Sequence, residues 1–113
     1  MDRVKTYETI IIEELEGYAK LWNQNGSSIK TQTIIDRVGK HYQLIRLGWK
    51  NKNNYIHYCV FHIDIIKEKV WIQENRSDIL IAEHLVNSGV NKKDIVLGLL
   101  PPEVRKDSEY AIT

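Results

Sequence analysis

The sequence lacks several features that define large classes of proteins. It has one cysteine, Cys59, so an internal disulfide is excluded and a reducing compartment is expected. Lys and Arg number 16 against 15 Asp and Glu, and the net charge of +1 offers no basic surface for nucleic acid or anionic lipid. No apolar run is long enough to cross a membrane, and no signal peptide is recognisable at the amino terminus. We therefore expect a cytoplasmic protein that does not bind membranes and for which direct nucleic-acid binding is not favoured.

The motifs of common enzymes and metal proteins are lacking as well. The sequence has no Gly-rich phosphate loop, no Gly-x-Ser-x-Gly elbow, and no Cys-x-x-Cys or His-Glu-x-x-His spacing. Cys59 lies in a strand-like run, where we expect a buried, unreactive thiol. These absences predict a protein that is not an enzyme and has no catalytic residues, no cofactor and no metal.

A strong β-hairpin pattern between residues 55 and 75 organises the rest of the chain. Two runs rich in β-branched and aromatic residues flank Lys67 and Glu68, which we take as a two-residue loop. The predicted pairs are then Ile66–Lys69, Ile65–Val70, Asp64–Trp71, Ile63–Ile72 and His62–Gln73. Because side chains alternate along a strand, one face is apolar and is predicted to lie on the core: Cys59, Phe61, Ile63, Ile65, Val70 and Ile72. The other face is mixed: Tyr58, Val60, His62, Asp64, Trp71 and Gln73.

The residue pattern before this hairpin predicts one helix and two strands. A long amphipathic helix is expected from residue 3 to about 25, with Asp2 as its cap. Strands are expected over residues 28–38 and 41–49, and a polar loop over 50–54 joins them to the hairpin. These two strands and the two strands of the hairpin are predicted to form a four-stranded antiparallel meander.

The residue pattern after the hairpin predicts helices. One helix is predicted, with Ser77 and Asp78 as its start signal and Gly89 as its end. A short helix over 95–97 follows, with a short strand as the alternative, and the tail from Arg105 either docks or stays loose. With 42% hydrophobic and 27% charged residues, the composition is that of a soluble globular protein. We therefore predict a single α+β domain over residues 1–113, in which the C-terminal helices pack on the apolar face of the sheet.

The mixed face of the sheet is the predicted functional surface. A five-residue loop pairs Trp49 with Tyr55, and the resulting register places Tyr42 and Arg46 on the mixed face. The predicted fold leaves this face uncovered, and an uncovered aromatic patch is typical of a partner-binding surface. The predicted partner-binding residues are Tyr42, Arg46, Tyr58, His62, Asp64, Trp71 and Gln73.

His62 and Asp64 are the one pair with the spacing of a chemical site. Two residues apart on one strand face, an imidazole and a carboxylate can bind a metal or act as a general base. We favour instead a cross-strand polar cluster with Trp71 and Gln73, because the other histidines are expected on the opposite face or on a helix. A hydrolase built on His62 and Asp64 is the remaining enzymatic hypothesis, and it requires a bound metal.

Several segments of the sequence resemble the XisI family, whose members are fdxN element excision controlling factors found mainly in cyanobacteria. These segments are Tyr42-Gln-Leu-Ile-Arg46, Gly48-Trp49, Cys59-Val-Phe-His62-Ile-Asp64-Ile, Val70-Trp71-Ile-Gln73, Ile81-Ala-Glu-His-Leu-Val, Asp94-Ile-Val-Leu-Gly98 and Pro101-Pro102. The resemblance extends over nearly the whole chain, to Tyr110-Ala111-Ile112. The chain departs from the family at Lys67-Glu68, where a Gly-containing turn is usual, and neither residue readily adopts a positive φ.

The resemblance implies a non-enzymatic accessory factor. In the family's setting, a separate recombinase excises a DNA element from a nitrogen-fixation gene, and XisI acts with a nuclease-like partner, XisH. A XisH-like partner is therefore expected, with a homodimer as a further possibility. An antitoxin-like inhibitor of that partner is the alternative function.

Overall fold

A 20-residue helix, α1 (Arg3–Trp22), packs across one face of the sheet in the computed structural model, which describes residues 2–113. Asp2 caps α1 as predicted, because its Oδ1 accepts a hydrogen bond from the Val4 amide at 3.0 Å. The buried positions on α1 include Tyr7, Ile11 and Leu15, which follow the helical period that the sequence shows. The helix ends at Trp22, slightly earlier than the residue pattern indicated.

The next four elements form the predicted antiparallel meander. Their bounds are β1 (Lys30–Asp36), β2 (His41–Asn51), β3 (Asn54–Ile66) and β4 (Lys69–Asn75). The order in the sheet follows the order in the chain. The predicted pair of Trp49 with Tyr55 is present, and the same register pairs Ile45 with Cys59.

The sheet has a fifth strand, β5 (Ile95–Val96), which pairs in parallel with β4. The prediction of a four-stranded, purely antiparallel sheet is therefore wrong: the sheet is five-stranded and mixed. The short helix expected over 95–97 is also wrong, and the alternative of a short strand is correct. Ile95 and Val96 are fully buried, and their packing on the edge of β4 outweighs the local helix signal.

Two short helices complete the chain on opposite sides of the sheet. Helix α2 (Ile81–Ser88) has Gly89 as its C-cap, as predicted, and packs with α1. It begins at Ile81, so the predicted start at Ser77 and Asp78 is wrong. Helix α3 (Pro102–Arg105) lies on the other side, where Arg105 stacks over the Trp71 ring at 5.2 Å. The prediction that the C-terminal helices share one face is therefore wrong. The tail docks, because the Ala111 amide donates to the Ile95 carbonyl at 2.8 Å.

The turn between β3 and β4 has two residues in the left-handed region, as the predicted register requires. Lys67 has φ 49° and Glu68 has φ 65°, which is the conformation of a type I′ hairpin turn. The predicted pairs from Ile66–Lys69 back to Ile63–Ile72 are all present. The favourable hairpin register thus imposes a backbone conformation that these two residues do not prefer locally.

A β-bulge at Val60 reverses the alternation of β3. Leu44 pairs with Phe61 while the next residue, Ile45, pairs with Cys59, so Val60 has no partner on β2. Beyond the bulge Phe61 faces α1, whereas before it Tyr58 faces α1 and Cys59 faces away. The prediction that Cys59 shares a face with Phe61 is wrong for this reason.

A second bulge at Gln73 changes the pairing at the other end of the β3–β4 hairpin. His62 pairs with Glu74, and the neighbouring Ile63 pairs with Ile72. The predicted pair of His62 with Gln73 is therefore wrong. Gln73 is the extra residue of β4, and its side chain turns toward Asp64.

One carboxylate is buried between α1 and the sheet. Glu8 is 5% exposed, and its Oε2 accepts hydrogen bonds from the Tyr42 hydroxyl at 2.5 Å and from Lys40 at 3.3 Å. Arg37 approaches the other carboxylate oxygen at 3.3 Å. Burial by itself raises the pKa of Glu8. The hydrogen bonds from Tyr42 and Lys40 and the two positive charges lower the pKa by more than burial raises it, so the net pKa is below its usual value.

We expect Glu8→Gln to lower the free energy of unfolding by about 2 kcal/mol at pH 7, because it removes charge-assisted hydrogen bonds to a buried group. A carboxyl with a lowered folded-state pKa stabilises the fold above its unfolded pKa of about 4.3, and this contribution is lost as the pH falls through the folded-state value. The difference between wild type and variant should therefore shrink between pH 7 and pH 3. Urea unfolding at both pH values measures it, with the exposed Glu13→Gln as control; a difference that stays constant would contradict the assignment.

Candidate functional site

The sheet face opposite α1 and α2, which we name the open face, carries the candidate site. It follows from the strand pairing and the two bulges. Its central residues are His41, Gln43, Ile45, Leu47 and Trp49 on β2, Tyr55, His57, Cys59, His62 and Asp64 on β3, and Trp71 and Gln73 on β4. Two parts of the open face have distinct chemistry, a polar cluster at one end of β2 and an aromatic pair at the other.

The polar cluster consists of His41, His62, Asp64 and Gln73, and we name it the His–Asp cluster. His41 Nδ1 lies 2.8 Å and His62 Nε2 lies 2.9 Å from the same oxygen, Asp64 Oδ1. Gln73 Nε2 donates to the second oxygen, Oδ2, at 3.3 Å. His41 and Asp64 are cross-strand partners, and His62 and Asp64 stand two residues apart on one strand, so regular β geometry brings the three together.

The electrostatics of the His–Asp cluster stabilise a carboxylate at its centre. Asp64 is 8% exposed, and burial alone raises its pKa, yet hydrogen bonds from His41, His62 and Gln73 bring the net pKa below the usual value. The hydrogen bond to Asp64 raises the pKa of His41. The cluster is therefore a fixed carboxylate with two imidazoles directed at one of its oxygens.

The aromatic pair consists of Trp49 and Tyr55, which lie opposite each other near the tip of the β2–β3 hairpin. Their ring centroids are 5.1 Å apart, and the residues are 57% and 50% exposed. The backbone beneath them is braced, because the Ser28 hydroxyl donates to the Trp49 carbonyl at 2.7 Å. Gly48 allows this close approach, since a Cβ there would lie 2.4 Å from the Ser28 carbonyl oxygen.

Three of the predicted site residues do not lie on the open face. Tyr42 is fully buried on the helix side, where its hydroxyl bonds to Glu8. Arg46 stacks over the Trp22 ring of α1 at 5.4 Å, and Tyr58 packs half-buried against the core. Placing these three on the mixed face was wrong, because the bulge at Val60 shifts the register between β2 and β3.

The other four predicted residues do share the open face. His62, Asp64 and Gln73 meet in the His–Asp cluster. Trp71 lies on the same face, half-buried beneath Arg105. Their role in partner binding stays a prediction.

Sequence reasoning missed His41, Trp49 and Tyr55 as members of the open face. A strict alternation assigned all three to the core side, and only the bulge at Val60 reverses that assignment. The sequence did contain a partial signal that Trp49 is exposed. Lys50 and Asn51 follow it directly and indicate that this end of the strand extends beyond the core.

Cys59 also lies on the open face, without the properties of a nucleophile. Its Sγ donates to the Phe61 carbonyl at 3.0 Å across the bulge. Burial, followed by the negative charge of Glu74, raises the pKa of the thiol. A thiol of this kind stays protonated at neutral pH and is a poor nucleophile.

Among residues 2–113, none of the helices is both long and apolar enough to span a membrane.

Comparisons with known proteins agree on one family. The family model described as XisI protein matches residues 1–112. The crystal structure of a XisI-like protein from Anabaena variabilis ATCC 29413 is 35% identical, with a TM-score of 0.89, and the match covers 97% of this chain and 99% of that chain. The crystal structure of fdxN element excision controlling factor XisI from the same organism is 26% identical, with a TM-score of 0.85, and the match covers 99% and 100%. No curated protein matches the chain.

Proposed function

Because this chain belongs to the XisI family, we propose that it is a non-enzymatic accessory factor that controls the excision of a DNA element through contacts with a XisH-like protein. The likeness to fdxN element excision controlling factor XisI supports the excision role, since the two chains match over nearly their full lengths. In this proposal a separate recombinase cuts and rejoins the DNA. The present chain contributes a binding surface.

The observation that carries the proposed contact surface is the exposed aromatic pair. Large aromatic side chains that project from a rigid hairpin are unfavourable in water and contribute strongly when a partner covers them. Trp and Tyr dominate the residues that carry most of the binding energy in protein interfaces. Trp49 and Tyr55 have this character and lie apart from the core, so they can be changed without disrupting the fold.

The charge of the chain favours protein contacts over DNA contacts. DNA binding depends on Lys and Arg that neutralise phosphates, and this chain has a net charge of only +1. Two of the cations, Arg37 and Lys92, are paired with the acidic side chains of Glu8 and Glu109. Recognition of the DNA element would then belong to the other components of the complex.

We expect the purified chain to form a stable complex with its XisH-like partner, and the double substitution Trp49→Ala with Tyr55→Ala to weaken that complex by about 1000-fold. Loss of two interface hot spots, at about 2 kcal/mol each, accounts for an effect of this size. Size-exclusion chromatography with mass determination identifies the complex, and calorimetry measures its dissociation constant.

The matched control is Leu21→Ala with Val38→Ala, two apolar residues that are 60% and 95% exposed and belong to α1 and to the β1–β2 turn. This control should bind the partner as tightly as wild type. Unchanged affinity of the Trp49 and Tyr55 variant would remove the aromatic pair from the interface. If the two proteins are mixed and this chain still elutes separately, as a homodimer, the proposal of a XisH-like partner would be overturned.

A further inference from the structure

Three metal-binding side chains from two strands converge on the open face, away from the aromatic pair. The donor atoms of His41, His62 and Asp64 all lie within 4.8 Å of one another. Two imidazoles and one carboxylate form a donor set that zinc commonly uses in three-ligand sites. We propose that the His–Asp cluster binds one divalent transition-metal ion of the zinc class, with the fourth coordination position open to solvent.

The spacing of the donors is close to what such an ion requires. Zinc binds imidazole nitrogen and carboxylate oxygen at about 2.0–2.2 Å in a tetrahedral arrangement, so neighbouring donors stand about 3.3 Å apart. The two imidazole nitrogens lie 2.8 and 2.9 Å from Asp64 Oδ1. Each of these two nitrogen–oxygen separations therefore has to widen by only about 0.5 Å to match tetrahedral coordination.

The exposure of the three side chains allows this small movement. The side chains of His41 and His62 are 53% and 33% exposed, so their rings can shift without disturbing the core. Asp64 is held more firmly, with its side chain 11% exposed. The ion would then be anchored at the base of the cluster by the carboxylate, with the two rings closing from the solvent side.

Neighbouring residues position the donors as they do in many metal sites. Gln73 donates to Asp64 Oδ2 and leaves Oδ1 to face both imidazoles. Gly98 makes room for this amide, because a Cβ at that position would lie 2.3 Å from Gln73 Oε1. Gly39 does the same for His41, since its Cβ would lie 2.8 Å from the ring. The two glycines thus leave space for the His41 ring and the Gln73 amide, and the amide holds the Asp64 carboxylate in place.

The chemistry of the donors selects among metals. Imidazole nitrogen is a good ligand for zinc, cobalt, nickel and copper, whereas magnesium and calcium prefer sites made of oxygen alone. A cluster with two imidazoles and one carboxylate is therefore expected to bind Zn²⁺ or Co²⁺ and to discriminate against Mg²⁺ and Ca²⁺. Metal binding of this kind is measured without any partner protein, so it stands independently of the proposed excision role.

The test is a titration of the tag-free, metal-stripped protein with Co²⁺, which reports tetrahedral coordination by its visible absorption. We expect one equivalent of Co²⁺ per chain, displaced by Zn²⁺ and not by Mg²⁺. His41→Gln and Asp64→Asn should each weaken binding by at least about 100-fold, because each removes a direct ligand. Gln73→Ala should weaken it by about 10- to 100-fold, as expected for a positioning residue.

Two histidines outside the cluster provide matched controls. His57→Gln changes an exposed histidine on the same strand, and His84→Gln changes one that lies 3.4 Å from Glu14. Both variants should bind Co²⁺ as wild type does, and circular dichroism should show all variants folded. Failure of the wild-type chain to take up one equivalent of Co²⁺, or uptake that His41→Gln and Asp64→Asn leave unchanged, would overturn the proposal and leave the cluster as a hydrogen-bonded network.

Discussion

Deletion of Val60 is expected to prevent the chain from folding. Val60 is the extra residue of the β3 bulge, and without it the strand returns to simple alternation. Either Phe61, Ile63 and Ile65 or the residues before the bulge must then turn to the wrong face of the sheet. Burial of one such side chain contributes about 1.5–3 kcal/mol, so the loss of three amounts to about 4.5–9 kcal/mol, which is comparable to the whole stability of a typical domain.

Far-UV circular dichroism and urea unfolding test this deletion directly. The matched control is Val60→Ala, which keeps the residue count and the bulge while removing two methyl groups from a side chain that is 2% exposed. We expect this substitution to cost only about 1–3 kcal/mol and to leave a cooperative unfolding transition. A deletion variant as stable as Val60→Ala would show that the bulge does not set the two faces of the sheet.

Phe61→Ala is expected to lower the free energy of unfolding by about 3–5 kcal/mol, more than Glu8→Gln or Val60→Ala. Phe61 is fully buried at the centre of the sheet, and its ring lies 5.6 Å from that of Tyr18 on α1. Truncation removes a large apolar surface and leaves a cavity between the sheet and the helix, where the surrounding strands cannot collapse.

Tyr55→Ala is the comparison for Phe61→Ala, since it removes an aromatic ring from the same strand. Because Tyr55 is 50% exposed, the expected loss is about 1 kcal/mol or less, largely from its contact with Trp49. Urea unfolding at pH 7 measures both. Similar losses for the two variants would contradict the assignment of Phe61 to the core and of Tyr55 to a surface that a partner can cover.

The two bulges also connect the fold to the candidate site. The bulge at Val60 places His62 and Asp64 on the open face together with Cys59, and the bulge at Gln73 turns that side chain toward Asp64. The Val60 carbonyl has a hydrogen-bond partner although Val60 has none on β2, because the Arg76 amide donates to it at 2.8 Å. Bulges re-aim side chains in this way at many functional sites.

Much of the architecture was predictable because its signals are local. The helical stripe of α1, its Asp2 cap and the pairs from Ile66–Lys69 to Ile63–Ile72 depend on residues near one another in sequence. The pair of His62 and Asp64 was likewise recognised from spacing alone. The role of His41 was not, because it joins the cluster through its pairing with Asp64, 23 residues away.

The sequence by itself determined the family, the helix, the meander and the hairpin register, since apolar periodicity and turn position define these elements. Only the tertiary structure decided which side chains of β3 face α1 before and after Val60, because a bulge adds one residue without changing the composition of the strand. It also decided the strand β5, whose two residues gain stability from an edge of β4 that lies far away in sequence. The open face, with its His–Asp cluster and its aromatic pair, exists because these long-range contacts outweigh strict alternation.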